Sequence, residues 1–318
     1  MMTYPKVSII ILNWNGLKDT IECLESLKKI TYPNYEVILV DNGSRGNDAQ
    51  VLQEKFSDYI RLIKNDKNYG YAKGNNIGIR HALSNSQPDY ILLLNNDTVV
   101  DPEFLTEMVK VAEADHPIGL GGARIYSYDR PAEVQHFIRG KINLWRGAAI
   151  PLLSVVAEKI KKRESNKEQW DQIKEVDWVT GCSILIKSAV IESIGLLDED
   201  FFLYGEDVDY CARVTKHGYK ITYVPKAKVW HKLGQSTKTT TEIACYYRVR
   251  NRFRFMRKHA TRWQYQCFQI YFFGFYFWLA TGYYLIYLHS LSLLTSFYRG
   301  VKDGLFNSEA SAKLYRRD

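Results

Sequence analysis

The sequence predicts an α/β fold built on a doubly wound, mostly parallel sheet. Apolar strand-like runs alternate with helix-like segments through the first hundred residues, and three of those runs end in polar clusters. Val7–Leu12 is β-branched and apolar throughout, the pattern of a strand buried on both faces, and it ends in Asn13-Trp-Asn15-Gly. A helix is expected over Leu17–Lys29. Tyr35–Val40 repeats the pattern, ending in Asp41-Asn42-Gly43-Ser44, with a helix expected over Asp48–Phe56. Ile60–Ile63 leads through a glycine-rich loop to a helix expected over Gly74–Ser84. Tyr90–Leu94 ends in Asn95-Asn96-Asp97, and Pro102 opens another helix.

Further along, Leu120–Tyr126 and Val176–Ile186 read as strands, separated by a less regular stretch that holds the charged EKIKKRESNKEQ, a surface excursion. Helices are expected from Ser188 and, after the loop LDEDFFLYGEDVD, up to His217. The short strand Ile221–Val224 and then Val229-Trp230-His231 close the core. A catalytic-size domain over residues 1–245 and a basic, aromatic and apolar helical tail over 246–318 fit the length of 318 residues.

The formal charge of +8 is unevenly placed: residues 246–318 hold 12 Lys+Arg and 3 Asp+Glu, while 1–245 hold 31 and 32. The five cysteines are scattered without C-x-x-C spacing, which points to a reducing compartment and away from a zinc site. The N-terminus has no small-residue cleavage site and reads as a first strand, not a signal peptide. Seven Lys+Arg lie within 246–262, followed by 36 residues, Trp263 to Tyr298, without a Lys, Arg, Asp or Glu. As one helix that run extends about 54 Å, more than the roughly 30 Å needed to cross a bilayer, so a break near Gly274 or Gly282 is expected. Basic residues on both sides favour a hairpin lying on or re-entering the cytoplasmic face of the membrane over a single span. The competing reading is a buried helical subdomain or a dimer interface. No nucleic-acid-binding fold accompanies the basic residues.

In doubly wound sheets ligands bind beyond the carboxyl ends of the strands, where Asn13, Asn15, Asp41, Asn42, Asn96 and Asp97 lie. Asp41 can accept hydrogen bonds from a base or ribose, although Asp-Asn-Gly is also an ordinary turn. Asn68-Tyr-Gly-Tyr-Ala-Lys73-Gly-Asn75-Asn76 sets glycines, amides and a lysine at an expected helix start, suited to a diphosphate or to nothing more than a solvated loop. Asp97 offers one carboxylate for a hard cation such as Mg²⁺ or Mn²⁺ shared with substrate phosphates. Glu206 and Asp209 can cap a helix, and one of Glu206, Asp207 and Asp209 can act as a base. His231 is a metal ligand or a structural histidine.

Taken in order, VSIIILNWNG, VDNGS, NYGYAKGNNIGI, LLLNNDTVV, VTGCSILIK, FFLYGEDVDYCAR and VWHKLGQS resemble glycosyltransferase family 2, its rhamnosyltransferase-like members most of all, over residues 5–255. The resemblance implies a GT-A fold, with a Rossmann-like nucleotide-binding half and an acceptor half, a nucleotide-diphosphate sugar donor and inversion at the anomeric carbon. It also implies that Asp41 holds the nucleotide, that Asp97 is the metal-binding end of a D-x-D position whose first aspartate is Asn95 here, and that His231 assists at the metal or the diphosphate. Asp207 matches the catalytic base, with Glu206 beside it, and Trp178, Thr180 and Gly181 match the region that shapes the acceptor pocket. A membrane-associating tail adds a glycan or polyprenyl-linked acceptor. Two other classes are weighed against this one. A sugar-phosphate nucleotidyltransferase carries a basic glycine-rich loop after its first strand, where this chain has Asn13-Trp-Asn-Gly; a non-catalytic sugar-binding scaffold has no need of Asp97, Asp207 and His231 together.

Overall fold

The computed structural model describes residues 4–115, 117–135, 139–147, 171–232 and 241–315. The charged excursion EKIKKRESNKEQ and residues 233–236 lie outside them. The chain divides into two compact units, one of residues 1–140 and 173–238, the other of 141–172 and 239–317.

The first unit opens as the hydrophobic pattern requires: β1 Val7–Asn13, α1 Leu17–Leu27, β2 Tyr35–Asp41, α2 Asp48–Phe56, β3 Ile60–Lys64, α3 Gly70–Asn85 and β4 Tyr90–Asn95. Then follow β5 Thr98–Val100, α4 Phe104–Ala114, β6 Ile118–Ser127, β7 Arg139–Gly140, β8 Lys174–Glu175, β9 Trp178–Val179 and β10 Ser183–Lys187. The unit ends with α5 Ser188–Ile194, α6 Glu206–Lys216 and β11 Lys220–His231.

Among the described residues the main sheet runs β3-β2-β1-β4-β10-β6-β11-β5, with β8 also paired to β11. β1 is parallel to both β2 and β4, and β3 is parallel to β2. β10 and β5 run against their neighbours. The chain therefore winds outward from β1 to β3 and then crosses to β4 on the other side of β1, so the strand order reverses at β1, the place where such sheets hold ligands. Register aligns the polar ends there: Asn13 pairs with Asp41, and Leu12 pairs with both Val40 and Asn95. Ile9, Ile10, Ile11, Ile38, Leu39, Leu92 and Leu93 beneath them are sealed from solvent, which makes a rigid floor.

Three expected elements differ in outline. α3 starts at Gly70, four residues before the expected Gly74, because Gly70 (φ 81°) takes the left-handed turn and Asn68 accepts its N–H at 2.9 Å. The Val176–Ile186 strand is two strands, β9 and β10, parted by a turn at Thr180–Cys182. Ile221–Val224 and Val229–His231 are one strand, β11, whose register slips between Val224 and Lys228 at Pro225, which has no N–H to give the ladder.

The described residues of the second unit are helical from Glu242 on. α7 Glu242–His259 is capped by Thr241, and α8 Arg262–Tyr271 by a reciprocal Thr261–Gln264 capping box. The helical path continues through π-helical Phe272–Tyr276, α9 Phe277–Gly282 and π-helical Tyr283–Tyr287, and α10 Leu291–Phe306 returns. The expected break at Gly274 or Gly282 is thus corrected. A glycine costs a helix about 1 kcal/mol without ending it, and the chain turns at His289 (φ 48°), where Ser290 caps the next helix. The basic cluster also differs from a simple solvated flank. Arg250 is buried and donates to Asn251 and Glu309, and Arg252 is buried against the carbonyls of Gly147 and Arg146 and the ring of Tyr276. Among the described residues, no helix is long and apolar enough to cross a membrane.

Candidate functional site

Asn13, at the end of β1, is sealed from solvent and fully engaged. Its amide donates to Asp41 Oδ1 (2.8 Å), Ser44 Oγ (3.1 Å) and Asp48 Oδ2 (3.2 Å), and its carbonyl accepts from Thr20 Oγ1 (2.8 Å). Asn13 is therefore the hub that holds Asp41 and Asp48. Asp41 also accepts from the Ser44 hydroxyl (2.6 Å) and N–H (3.2 Å), which fixes its carboxylate at the sheet edge. Asn42 is spent on the loop after β3: it donates to Asn68 and the Gly70 carbonyl and accepts from Asn65 and the Tyr69 N–H. Asn15, with φ 52°, receives the Arg45 N–H at 2.8 Å.

A cleft of about 750 Å³ opens at the carboxyl ends, lined by Asn15, Lys18, Asp48, Asn96, Asp97 and Lys232 among others. Asn96 donates to Thr20 Oγ1 at 2.8 Å and so joins the Asn13 network. Lys232, next after His231, reaches across to α1 and pairs with Asp19 and Glu22 at 2.6 Å each, and Glu22 also accepts from the Tyr128 hydroxyl. Lys73 and Asn75 do not line this cleft. Lys73 lies over the Tyr69 ring, 4.4 Å from its centroid, and Asn75 donates within α3 to the Tyr71 carbonyl.

At the mouth of β4, Asp97 Oδ1 stands 3.1 Å from His231 Nε2, both nearly buried. The Lys232 N–H donates to the Asp97 carbonyl at 3.0 Å, so the backbone holds the two side chains together. Burial opposes a charge on His231, but the adjacent Cys182 and Asp97 outweigh it and lift its pKa well above the usual imidazole range. Among the described residues, no three His, Cys, Asp or Glu side chains converge on one cation position. One nitrogen and one carboxylate suit a cation that completes its shell with substrate phosphates.

The acidic loop is tied to the turn between β9 and β10. Gly205 (φ 92°) turns the chain into α6, and Asp207 Oδ2 accepts the Gly181 N–H at 2.9 Å while its Oδ1 accepts the Val208 N–H at 2.8 Å. Burial raises the Asp207 pKa, and those N–H groups pull it back. Glu206 is 5% exposed, its Oε2 has no hydrogen-bond partner among the described residues, and burial first, then Asp207, push its pKa well up. The next residue after Gly181 is Cys182, whose carbonyl accepts the Asn95 N–H at 2.9 Å. One dipeptide thus touches both the acidic loop and the Asp97–His231 corner. Thr180 is half-buried before it, and Trp178 is buried against Gly140.

The model of glycosyltransferase-like family 2 matches residues 5–266, more than four-fifths of the chain. The chain belongs to this family. It is 27% identical over 248 residues to the low-salt glycan biosynthesis hexosyltransferase Agl10 of Haloferax volcanii, covering 78% of this chain and 74% of that one. It is 26% identical over 226 residues to the N-acetylglucosaminyl-diphospho-decaprenol L-rhamnosyltransferase of Mycobacterium tuberculosis, covering 67% and 72%. The mannosyltransferase PcManGT of Pyrobaculum calidifontis, solved with GDP-Man and Mn²⁺, superposes with a TM-score of 0.58 at 16% identity over 96% of this chain and 88% of that one, a likeness of fold. The fold is GT-A-like, and this family 2 member is a rhamnosyltransferase-like glycosyltransferase that draws on a nucleotide-sugar donor.

The sequence reading missed Thr20, Ser44 and Asp48 in the Asn13 network, the Asp19–Glu22–Lys232 set, Tyr71 and Cys182. Asp19 and Glu22 carry a faint signal, acids three residues apart near a helix start, but nothing in the sequence links them to a lysine 210 residues later.

Proposed function

We propose that this glycosyltransferase inverts, moving rhamnose or another hexose from its nucleoside diphosphate to a hydroxyl of a glycan or polyprenyl-linked acceptor in polysaccharide or cell-wall assembly. The observation that carries the reading is the Gly181–Cys182 dipeptide, which joins Asp207 to the Asp97–His231 corner. A base and a leaving-group site side by side suit a single displacement.

In this mechanism Asp41, fixed by Asn13 and Ser44, holds the nucleoside, with Asn15 and Asn96 shaping the rim. Asp207 accepts the proton of the acceptor hydroxyl as its oxygen attacks the anomeric carbon in line; the bond to the diphosphate breaks and the nucleoside diphosphate leaves. Two N–H donors aim the Asp207 carboxylate, and burial makes it a better base than an exposed aspartate. Asp97 and His231 would hold the Mg²⁺ or Mn²⁺, which when bound supplies positive charge beside the leaving diphosphate. Proton NMR of the sugar freed by slow donor hydrolysis, read before mutarotation, checks the stereochemistry. The anomer opposite to the donor's is expected, and retention overturns direct displacement.

The tail places the enzyme at the cytoplasmic face of the membrane in this reading. Trp263, Ile270, Trp278 and Ile286 are each at least 65% exposed and recur every seven or eight residues, two turns apart on one side of the helical path. Arg257, Lys258 and Arg262 precede this row, and Arg299 and Lys302 follow its uncharged stretch. An apolar row between basic ends suits the surface of an anionic bilayer. Replacing both Trp278 and Ile286 by glutamate is expected to abolish cosedimentation with phosphatidylglycerol vesicles; unchanged cosedimentation contradicts the assignment.

A further inference from the structure

α3 begins where the sequence suggests a phosphate cradle, but the structure gives its polar groups other partners. The Tyr71 N–H, one of the amides a helix start leaves free, donates to the Phe202 carbonyl at 2.7 Å, and the Gly70 N–H is taken by Asn68. A Cβ on Gly70 would run into the Phe202 carbonyl and ring, so the glycine is required by the closeness of the acidic loop. About one and a half turns on, Asn76 donates to the Leu197 carbonyl (2.9 Å) and Glu199 (3.1 Å) and accepts the Leu197 N–H (3.1 Å). Arg80 pairs with the same Glu199 at 2.7 Å. The segment 197–202 that delivers Glu206 and Asp207 is thus fastened to α3 at both ends.

Tyr71 carries the fastening to the carboxylate itself. Its hydroxyl donates to the Gly181 carbonyl at 2.6 Å, and the Gly181 N–H donates to Asp207 Oδ2 at 2.9 Å. A Cβ on Gly181 would stand 3.1 Å from the Tyr71 hydroxyl and 3.6 Å from the Asp207 Cβ, so the two side chains meet around one glycine. We propose that α3 is the clamp of the acidic loop, and that Tyr71 is a positioning residue that sets the direction of the Asp207 carboxylate through Gly181, in place of any contact with donor phosphate. The inference rests on Asp207 being the base. Burial, with Glu206 and Asp207 nearby, lifts the Tyr71 pKa well above its ordinary value, so the phenol stays protonated and remains a donor wherever the enzyme works.

A misplacement of about 1 Å costs a reaction on the order of 100-fold. Tyr71→Phe keeps the ring and removes only the hydroxyl. It is expected to lower kcat by roughly 10- to 100-fold and to leave binding of the nucleoside diphosphate with Mn²⁺, measured by calorimetry, unchanged. Added to Asp207→Asn, it is expected to have almost no further effect on residual turnover, because no base is left to aim. Gly181→Ala, which crowds the same hydroxyl, is a second variant with the same expected split should Tyr71→Phe fail to fold. Weakened nucleotide binding in Tyr71→Phe overturns the proposal in favour of a phosphate cradle. Wild-type turnover in Tyr71→Phe, or an undiminished loss in the Asp207→Asn background, also overturns it. Wild-type turnover in Asp207→Asn alone removes the base reading itself, and the aiming role of Tyr71 with it.

Discussion

Asp207→Asn is expected to lower kcat by about 10²–10⁴-fold, the range a positioned general base supplies, with little change in donor binding. Asparagine keeps the size and one carbonyl oxygen, which can accept from the Gly181 N–H while the Val208 N–H loses its acceptor, and the proton acceptor is gone. The pH profile of the wild-type enzyme follows from the same environment. Asp207 acts only when ionised, so activity falls as pH falls through its pKa. Burial, partly offset by the Gly181 and Val208 N–H groups, moves that acid limb above the ordinary aspartate range near 3.9. Glu206 is adjacent and raised further, by burial and then by the Asp207 charge, so it is still protonated where Asp207 ionises. Glu206→Gln replaces a neutral acid by a neutral amide, so the limb is expected to stay in place with turnover retained.

The second large effect is expected at Asp97. Removing an outer partner of a metal ligand already costs roughly 10- to 100-fold in affinity, so Asp97→Asn is expected to raise the Mn²⁺ concentration needed for half-maximal turnover by at least about 100-fold. Asp97→Asn also leaves His231 without its carboxylate at 3.1 Å. Mn²⁺ titration followed by electron paramagnetic resonance in the presence of nucleoside diphosphate reads the affinity without relying on activity. His231→Ala is expected to weaken it in the same assay by a smaller factor, since a carboxylate and the phosphates remain. Equal Mn²⁺ affinity in the Asp97→Asn variant and the wild type would move the metal elsewhere.

The strand runs were legible because a two-sided buried strand has to be apolar and has to end where solvent begins. Val7–Leu12 and Tyr90–Leu94 declare both facts in a single sequence, and so locate Asn13 and Asn95–Asp97 at the sheet's edge. What that reading lacks is the partner. Asn13 looks like a ligand-facing amide from its position, yet both polar atoms of its side chain are engaged with Asp41, Ser44, Asp48 and Thr20. Lys73 looks like a phosphate ligand because glycines surround it, but the helix starts earlier and carries it onto Tyr69. Gly181 and Tyr71 are 110 residues apart, and only the turn that parts β9 from β10 brings them together. In the tail the arginines of 246–262 read as one basic cluster, whereas Arg250 and Arg252 lie inside the helical unit because Glu309 and main-chain carbonyls wait for them there.

The most direct test is nucleotide release from UDP-, GDP- and dTDP-sugars by the purified full chain in a membrane mimic, with and without Mg²⁺ or Mn²⁺, beside the Asp207→Asn variant. Release from one donor that needs the metal and collapses in Asp207→Asn is the predicted result, and it names the nucleotide. If every donor stays intact and calorimetry detects no nucleotide binding, the account of a metal-assisted displacement at Asp207 is contradicted.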